Sequence, residues 1–471
     1  MFAAQLAPVP AVAVVLKRYS STTSRQLAGA RDLSERKIDS NWASLLEEFQ
    51  LIDEIHENGY VDINSGHFSS LKFETRLMTK IDHRYQRPSI FQDLNINILT
   101  RGRNLWRLGR FEVFEDLPDE IPPSSRVKMM SVPSDLETVD ARNLSSEANV
   151  LSAATASGVV SDFLGTEVRS TVSGRMSTGD FSFKVNGFEI DQMDIQVSKA
   201  QIEIDAGFEG PNDFTVVEAK MRLPGDFCTR QLYYPFRLWS GRLSQKPVRT
   251  VFLSYSNELL DLYEFEFTDV GNYSSSQLLR RKRYALGSNL PASDEIAKMA
   301  ADVPHMSPPK EGGNFIPFPQ ADSFERVLDL VSFVNQEPKT EAQIKDNYDF
   351  VERQADYYPN AARYLGLVEK SQSGTGEKLW HPSALAKRLL ALPLEQRTLE
   401  IAKLLLQIEP IASTFRAWNS TGSPPSKDWV TQRLASSPLS ITSSGQKLGP
   451  STLKRRASTI IHWAGWLVGL C

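Results

Sequence analysis

Ile202-Glu-Ile-Asp205-Ala-Gly-Phe-Glu-Gly210-Pro-Asn-Asp-Phe-Thr-Val-Val-Glu218-Ala-Lys220 reads as two short apolar strands flanking a Gly-Pro-Asn-Asp turn. Strand side chains alternate, so Ile202 and Ile204 face one way and Glu203 and Asp205 the other. On the second strand Glu218 and Lys220 share a face, with Val217 and Ala219 opposite. Asp205 and Glu218 are symmetric about Pro211-Asn212, and a tight hairpin sets them opposite each other, with Cβ atoms about 4.5–5.5 Å apart. Facing like charges destabilise a hairpin unless something positive lies between them. Two carboxylates and a lysine at one hairpin end suit Mg²⁺-dependent phosphodiester hydrolysis. Oxygens hold a hard cation, and the lysine orients or deprotonates the attacking water.

An Asp, a gap and Glu-x-Lys also arise by chance, as a solvated hairpin edge with a cross-strand Glu-Lys pair. Context argues against that reading. Thr215-Val-Val-Glu-Ala has a buried-strand composition, and such a strand should not end in an unpartnered carboxylate. Upstream, Asn143-Leu-Ser-Ser-Glu147 opens a helix with Asn143 or Ser145 as its N-cap. Val150, Leu151 and Ala154 follow at helical spacing, which puts Glu147 on the inward stripe. A first-turn acid is also favoured by the helix dipole alone, and the two readings stand level. Downstream, Gln231-Leu-Tyr-Tyr-Pro-Phe-Arg-Leu-Trp239 begins a second helix, with Gln231 and Tyr234 on one face. Its aromatics suit a core better than a ligand, and Pro235 either starts the helix or kinks it.

The order helix with Glu147, strand with Asp205, strand with Glu218 and Lys220, helix with Gln231 resembles the PD-(D/E)XK nuclease superfamily. Glu218-Ala-Lys220, a short loop and Arg230-Gln-Leu-Tyr-Tyr-Pro-Phe-Arg-Leu-Trp239 look like a group of bacterial type II restriction endonucleases with a C-terminal winged-helix region. The resemblance spans most of the chain from about residue 40 onward and is most specific at the nuclease core. It implies that Asp205 and Glu218 bind Mg²⁺ and that Lys220 assists the nucleophilic water. Glu147 corresponds to the helix glutamate that some members use, and Gln231 to the helix residue after the lysine strand. One departure is Ile204, where many members place proline before the aspartate.

A chain of 471 residues with 41% hydrophobic and 23% charged residues is ordinary for globular domains and long enough for three or four of them. The net charge of −4 gives no overall basic signature, so any DNA contact must come from local patches. Cys228 and Cys471 are the two cysteines, which excludes a disulfide framework or a cysteine zinc site and fits a reducing cytoplasm. The six histidines lack metal-ligand spacing, and neither a Gly-x-Ser-x-Gly elbow nor a phosphate loop is present. No apolar run approaches a membrane span.

Residues 1–37 read as a leader outside the fold. Their first 31 residues carry Lys17, Arg18, Arg25 and Arg31 without an acid, as in a transit peptide, yet the basic residues follow the apolar run. A misplaced start accounts for them equally. Residues 38–120 read as a small α+β domain with a helix over Asn41–His56 and strands near Ile96–Leu99, Leu105–Leu108 and Phe111–Phe114. Arg101, Arg103, Arg107 and Arg110 cluster around its Gly turn, suited to phosphate or base contact or to a solvated hairpin. Glu74-Thr-Arg-Leu-Met-Thr-Lys-Ile-Asp resembles the restriction group's N-terminal region, which implies DNA contact.

A Pro/Ser-rich stretch at 121–134 leads to the nuclease core at 135–290. That core is closed by Arg280-Arg-Lys-Arg283, a solvated face or a grip on phosphates. Prolines and Gly312-Gly313 mark 291–320 as a linker. Over 321–392 the pattern is Phe324–Val334, a capped helix from Thr340, a helix over Asp349–Tyr364 that Pro359 should kink or split, then strand, turn, strand. This is winged helix-turn-helix order, with Arg353, Gln354 and Tyr357 as groove readers. Such a unit also serves as a protein-interaction module.

Residues 393–471 are helical and suit a second, degenerate winged helix. From Ile411 onward they hold seven Lys/Arg against the single acid Asp428. Lys454, Arg455 and Arg456 open the last helix and suit phosphate or base contact.

The fold expected is therefore mixed α+β and α/β, multidomain, with a restriction-endonuclease-like core. The function expected is Mg²⁺-dependent, sequence-specific cleavage of double-stranded DNA in a cytoplasmic restriction–modification system. A cognate DNA methyltransferase is then the genetic partner, and no membrane is involved. Enzymes of that group often act as homodimers, because two strands need two sites. The alternatives are a structure-specific repair or mobile-element nuclease, and a winged-helix regulator whose nuclease core has decayed.

Overall fold

Phe214–Lys220 is buried at every position but the last, as expected of a strand covered on both faces. It lies inside a seven-stranded mixed sheet. The spatial order is Lys128–Met130, Ser276–Leu286, Leu259–Phe267, Val248–Ser256, Phe214–Lys220, Gln201–Glu209, Arg169–Ser177. Phe214–Lys220 runs antiparallel to Gln201–Glu209 and parallel to Val248–Ser256, and helix Arg230–Arg242 makes the crossover. The computed structural model describes residues 37–118, 127–141, 144–189, 191–287, 293–348, 352–372 and 376–470. Residues 1–36 of the leader, Asn143, residues 288–292 and residues 121–126 of the 121–134 stretch lie outside them. The protein is mixed α/β and multidomain.

Helices pack on both faces of this sheet. Glu147–Ala156 and Val159–Leu164 bury Val150, Leu151, Val160 and Phe163 against Ala206, Phe208, Val217 and Val251. On the other face Arg230–Arg242 buries Leu232, Tyr233 and Phe236 against Ile202, Ile204, Phe252 and Phe265. The helix runs through Pro235, so the proline neither starts nor ends it. The sheet also reaches back beyond the expected core boundary. Lys128–Met130, within the stretch read as a Pro/Ser-rich separator, pairs in parallel with Tyr284–Leu286.

The N-terminal unit is fused to this core. Its strands Tyr60–Asn64, Leu105–Gly109 and Asn97–Gly102 share a five-stranded sheet with the hairpin Asp180–Asn186 and Gln192–Ser198, which the core contributes. The helix expected over Asn41–His56 is two helices, Lys37–Glu48 and Leu51–Asn58, broken at Gln50 with φ 51°. The break restores phase: Leu46 and Leu51 are five apart, a spacing that an unbroken helix turns to different faces, yet both are buried. The strand expected at Phe111–Phe114 lies instead at Phe114–Asp116 and pairs with Asp226–Cys228 of the core.

In the C-terminal unit, helices Phe324–Gln336, Glu341–Tyr348 and Glu352–Tyr364 precede two strands, Val368–Gln372 and Lys378–Pro382. Lys339–Thr340 adds a third strand, in the order Lys339–Thr340, Lys378–Pro382, Val368–Gln372. Thr340 and Gln343 cap the second helix reciprocally, at 3.2 and 2.8 Å. Pro359 lies inside the third helix without splitting it. The stretch read as a linker is ordered where described. Helix Ser293–Asp302 and a strand pair around Gly312-Gly313 place Ile296, Ala300, Ile316 and Phe318 in the C-terminal core. Residues 394–470 form four helices joined by a single bridge, Ile441 to Lys447, and no wing ladder occurs there among the described residues. No helix among the described residues is long and apolar enough to cross a membrane.

The basic run at 280–283 is consumed by internal ion pairs rather than left for phosphate. Arg280 pairs with Glu264, Arg281 with Asp261 and Lys282 with Asp162. Arg283 is buried and holds Asp261 at 2.9 Å and Glu325 at 2.8 Å, which ties the core sheet to the first C-terminal helix. Removing one partner of such a group leaves buried charge uncompensated. Arg283→Ala should therefore destabilise the protein by about 3–5 kcal/mol, seen as a lower urea midpoint. Arg280→Ala should cost far less, because Glu264 keeps Arg249 at 2.7 Å.

Candidate active site

The two hairpin strands pair in the expected register, Val217 opposite Ala206 and Phe214 opposite Glu209, which when continued sets Glu218 beside Asp205. The alternation along the first strand breaks at Asp205. Its outer neighbour pairs Gly174 with Ile204 but Val172 with Gly207, so Asp205 and Ala206 together oppose Ser173. This is a β-bulge, and bulges re-aim side chains. Ile204 consequently packs in the aromatic core and Ala206, two residues on, in the core of the opposite face. Asp205 Oδ2 accepts the Ala219 N–H at 2.8 Å, which fixes its carboxylate against the second strand. Glu203 lies outside this arrangement, exposed and 3.4 Å from Arg175.

Glu218 is 8% exposed and does not face solvent as a hairpin-edge acid would. Its Oε1 accepts hydrogen bonds from Lys220 Nζ and from Gln231 Nε2. Lys220 Nζ also donates to the Ala219 carbonyl at 3.0 Å and lies 3.8 Å from Glu147 Oε1. The Glu147 helix is capped by Ser146, whose hydroxyl accepts from Asn149 N at 3.2 Å, so the cap is neither Asn143 nor Ser145. Glu147, Asp205, Glu218, Lys220 and Gln231 thus converge at one end of the sheet. Tyr234 does not join them: its hydroxyl donates to the Thr100 carbonyl at 2.5 Å.

Three carboxylates around one lysine make an acidic site. Burial pushes the Glu218 carboxyl up to about 8, with Lys220 opposing the rise and Asp205 adding to it. Burial likewise raises Asp205 and Glu147 above the ordinary carboxylate range. Burial works to lower the Lys220 pKa, but Glu218 and Glu147 outweigh it, so the amine stays charged. A hard cation would relieve this excess of negative groups. The donors fit one: they are carboxylate oxygens, and Gln231 Oε1 is enclosed without a hydrogen-bond donor. Among the described residues no group of three or more His, Cys, Asp or Glu side chains is placed to hold a metal ion. Mg²⁺ is commonly held by one or two carboxylates with water and phosphate completing its shell.

The site opens into a cleft of about 1160 Å³ walled by all three parts of the chain. Arg76, Lys80, His83 and Arg103 come from the N-terminal unit, and Asp329, Phe333 and Asn347 from the C-terminal one. Arg222, two residues beyond Lys220, donates to Tyr85 Oη at 2.7 Å and to the Asn347 carbonyl at 3.4 Å. Sequence reading missed Arg222 and His83. Only an Arg two residues past the lysine hinted at the first, and no local signal marked the second.

The other candidates are dispersed. Arg101 and Arg107 share Asp62, and Arg110 pairs with Glu189 at 2.6 Å, so three of the four hairpin arginines are structural. Of the groove readers, the Arg353 and Gln354 side chains lie outside the described set. Tyr357 is half-buried against a separate, mostly apolar cavity of about 840 Å³. Lys454 and Arg455 are exposed, whereas Arg456 is half-buried with Nε and Nη1 enclosed and unpartnered.

Three stretches match family models, each described as a domain of unknown function: residues 39–108 (DUF6996), 109–285 (DUF6997) and 326–471 (DUF7226). No curated protein and no solved structure matches the chain.

The raised Glu218 pKa has a definite sign in metal-free protein. The unfolded glutamate ionises near 4.5 and the folded one near 8, so stability falls as pH rises across that window. In EDTA the denaturation midpoint should drop between pH 5 and pH 8. Glu218→Gln should flatten the slope, with Asp205 and Glu147 supplying what remains.

Proposed function

We propose that the chain is a Mg²⁺-dependent endonuclease that hydrolyses double-stranded DNA, of restriction type. The observation that carries this reading is the convergence of Asp205, Glu218 and Lys220, with Glu147 and Gln231 beside them, at the end of a sheet inside an open cleft. Element order supports it. Helix Glu147–Ala156, three antiparallel strands, crossover helix Arg230–Arg242 and parallel strand Val248–Ser256 follow the layout of the PD-(D/E)XK core. The helix and strand order of 324–382 is that of a winged helix, which supports a DNA-reading role for the C-terminal unit.

Asp205 and Glu218 would hold the Mg²⁺, with Glu147 at the margin. When bound, the ion polarises a phosphoryl oxygen and acidifies water. A bound cation would compete with the proton on Glu218, which couples metal binding to pH. Lys220, held between Glu218 and Glu147, would position or activate the attacking water and stabilise negative charge. Gln231 fixes the Glu218 carboxylate through its amide N–H. Water adds its oxygen to phosphorus in line with the departing oxygen and gives up a proton, one bridging P–O bond breaks, and the leaving oxygen takes up a proton, so that one water is consumed per bond cut.

Purified protein with Mg²⁺ should cut duplex DNA into discrete fragments and should not do so in EDTA. Lys220→Ala should lower the cleavage rate at least about 100-fold while leaving DNA binding in Ca²⁺ intact. Smeared or junction-dependent products would point to a structure-specific nuclease. Specific binding without cleavage, indifferent to Asp205→Ala, would point to a regulator.

A further inference from the structure

The N-terminal unit spends most of its arginines internally. Arg84 pairs with Asp116 and Asp226, Arg87 donates to the Phe91 and Ile96 carbonyls, and Arg101, Arg107 and Arg110 are paired as above. Three cations are treated differently. Arg76 and Arg103 are exposed and make no side-chain hydrogen bond or ion pair with another described residue. Lys80 is 60% exposed, 3.8 Å from Asp82, and close enough to Glu147 to favour its ionised form. All three line the wall of the cleft that holds Glu147, Asp205, Glu218 and Lys220. Arg76 lies in the short helix Thr75–Thr79, Lys80 caps its C-terminal end, and Arg103 sits on the turn of the hairpin Asn97–Gly109.

The cleft floor is acidic and would repel a polyanion without such a rim. A duplex carries a charge about every 1.7 Å, so exposed cations with no partner or only a distant one on this wall can exchange counterions for phosphates at little desolvation cost. From this placement we infer that Arg76, Lys80 and Arg103 form a phosphate clamp that grips the DNA backbone and sets it over the carboxylates. The contact is sequence-independent and positions the strand without reading it. The inference rests on the proposed DNA substrate but predicts binding, not chemistry.

The test is a fluorescence-anisotropy titration of the full chain with a labelled duplex in Ca²⁺ at 50 to 200 mM salt. Each lost phosphate contact should reduce the log–log salt slope by about 0.9. The Arg76→Ala/Arg103→Ala double variant should therefore lose about 12-fold less affinity across that range than the parent. Arg110→Ala, which breaks an internal pair, should leave the slope unchanged. A parental slope in the double variant overturns the clamp, and if the parent still cleaves in Mg²⁺ the nuclease reading survives. A flattened slope in a chain that never cleaves supports the clamp and removes the nuclease reading. No duplex binding by the parent overturns both.

Discussion

Glu218 is a carboxyl group withdrawn from water, and the surrounding site is arranged around that fact. A buried carboxylate must be protonated, paired or bound to a cation. Lys220 and Gln231 meet the requirement in part, by donating to one oxygen, and Asp205 and Glu147 add negative charge that makes it harder to satisfy. A proton or a hard cation can meet what remains of that requirement, and the proposed function depends on the second.

Holding that group in place takes both faces of the sheet. One layer brings Glu147 on a Ser-capped helix, and the other brings Gln231 on a helix anchored by Leu232, Tyr233 and Phe236. The Asp205 bulge lets a single strand serve both cores and presses the carboxylate onto the Ala219 amide. Around this centre the chain's parts are keyed together by polar contacts. Arg283 spans Asp261 and Glu325, and Ser256 and Tyr348 both bond Asp329, the latter at 2.6 Å. Arg222 links Tyr85 to Asn347 two residues beyond Lys220, which ties both flanking units to the end of the Phe214–Lys220 strand.

Much of this was legible because it is local. The hairpin register followed from symmetry about a Gly-Pro-Asn-Asp turn, the second C-terminal helix from its Thr340 capping box, and the strand from Phe214 to Lys220 from its apolar run. What failed also has local reasons. The helix over Asn41–His56 was read as continuous because periodicity tolerates one misplaced residue, whereas packing required a break at Gln50. The basic clusters at 101–110 and 280–283 looked free because their partners, Asp62, Glu189, Asp261 and Glu325, are distant in sequence.

By itself the sequence determined that Asp205, Glu218 and Lys220 come together, because their spacing is one that a single hairpin satisfies. Only the tertiary structure decided the state of those groups and the use of the remaining charges. Burial pushed the Glu218 carboxyl up to about 8, the bulge aimed Asp205, and long-range pairing engaged Arg101, Arg107, Arg110 and Arg280–Arg283 internally while leaving Arg76 and Arg103 without ion-pair partners among the described residues. The reason is physical. A residue's chemical type is fixed by its own atoms, but its pKa, exposure and ion-pair partners are set by whatever the fold brings within a few ångströms.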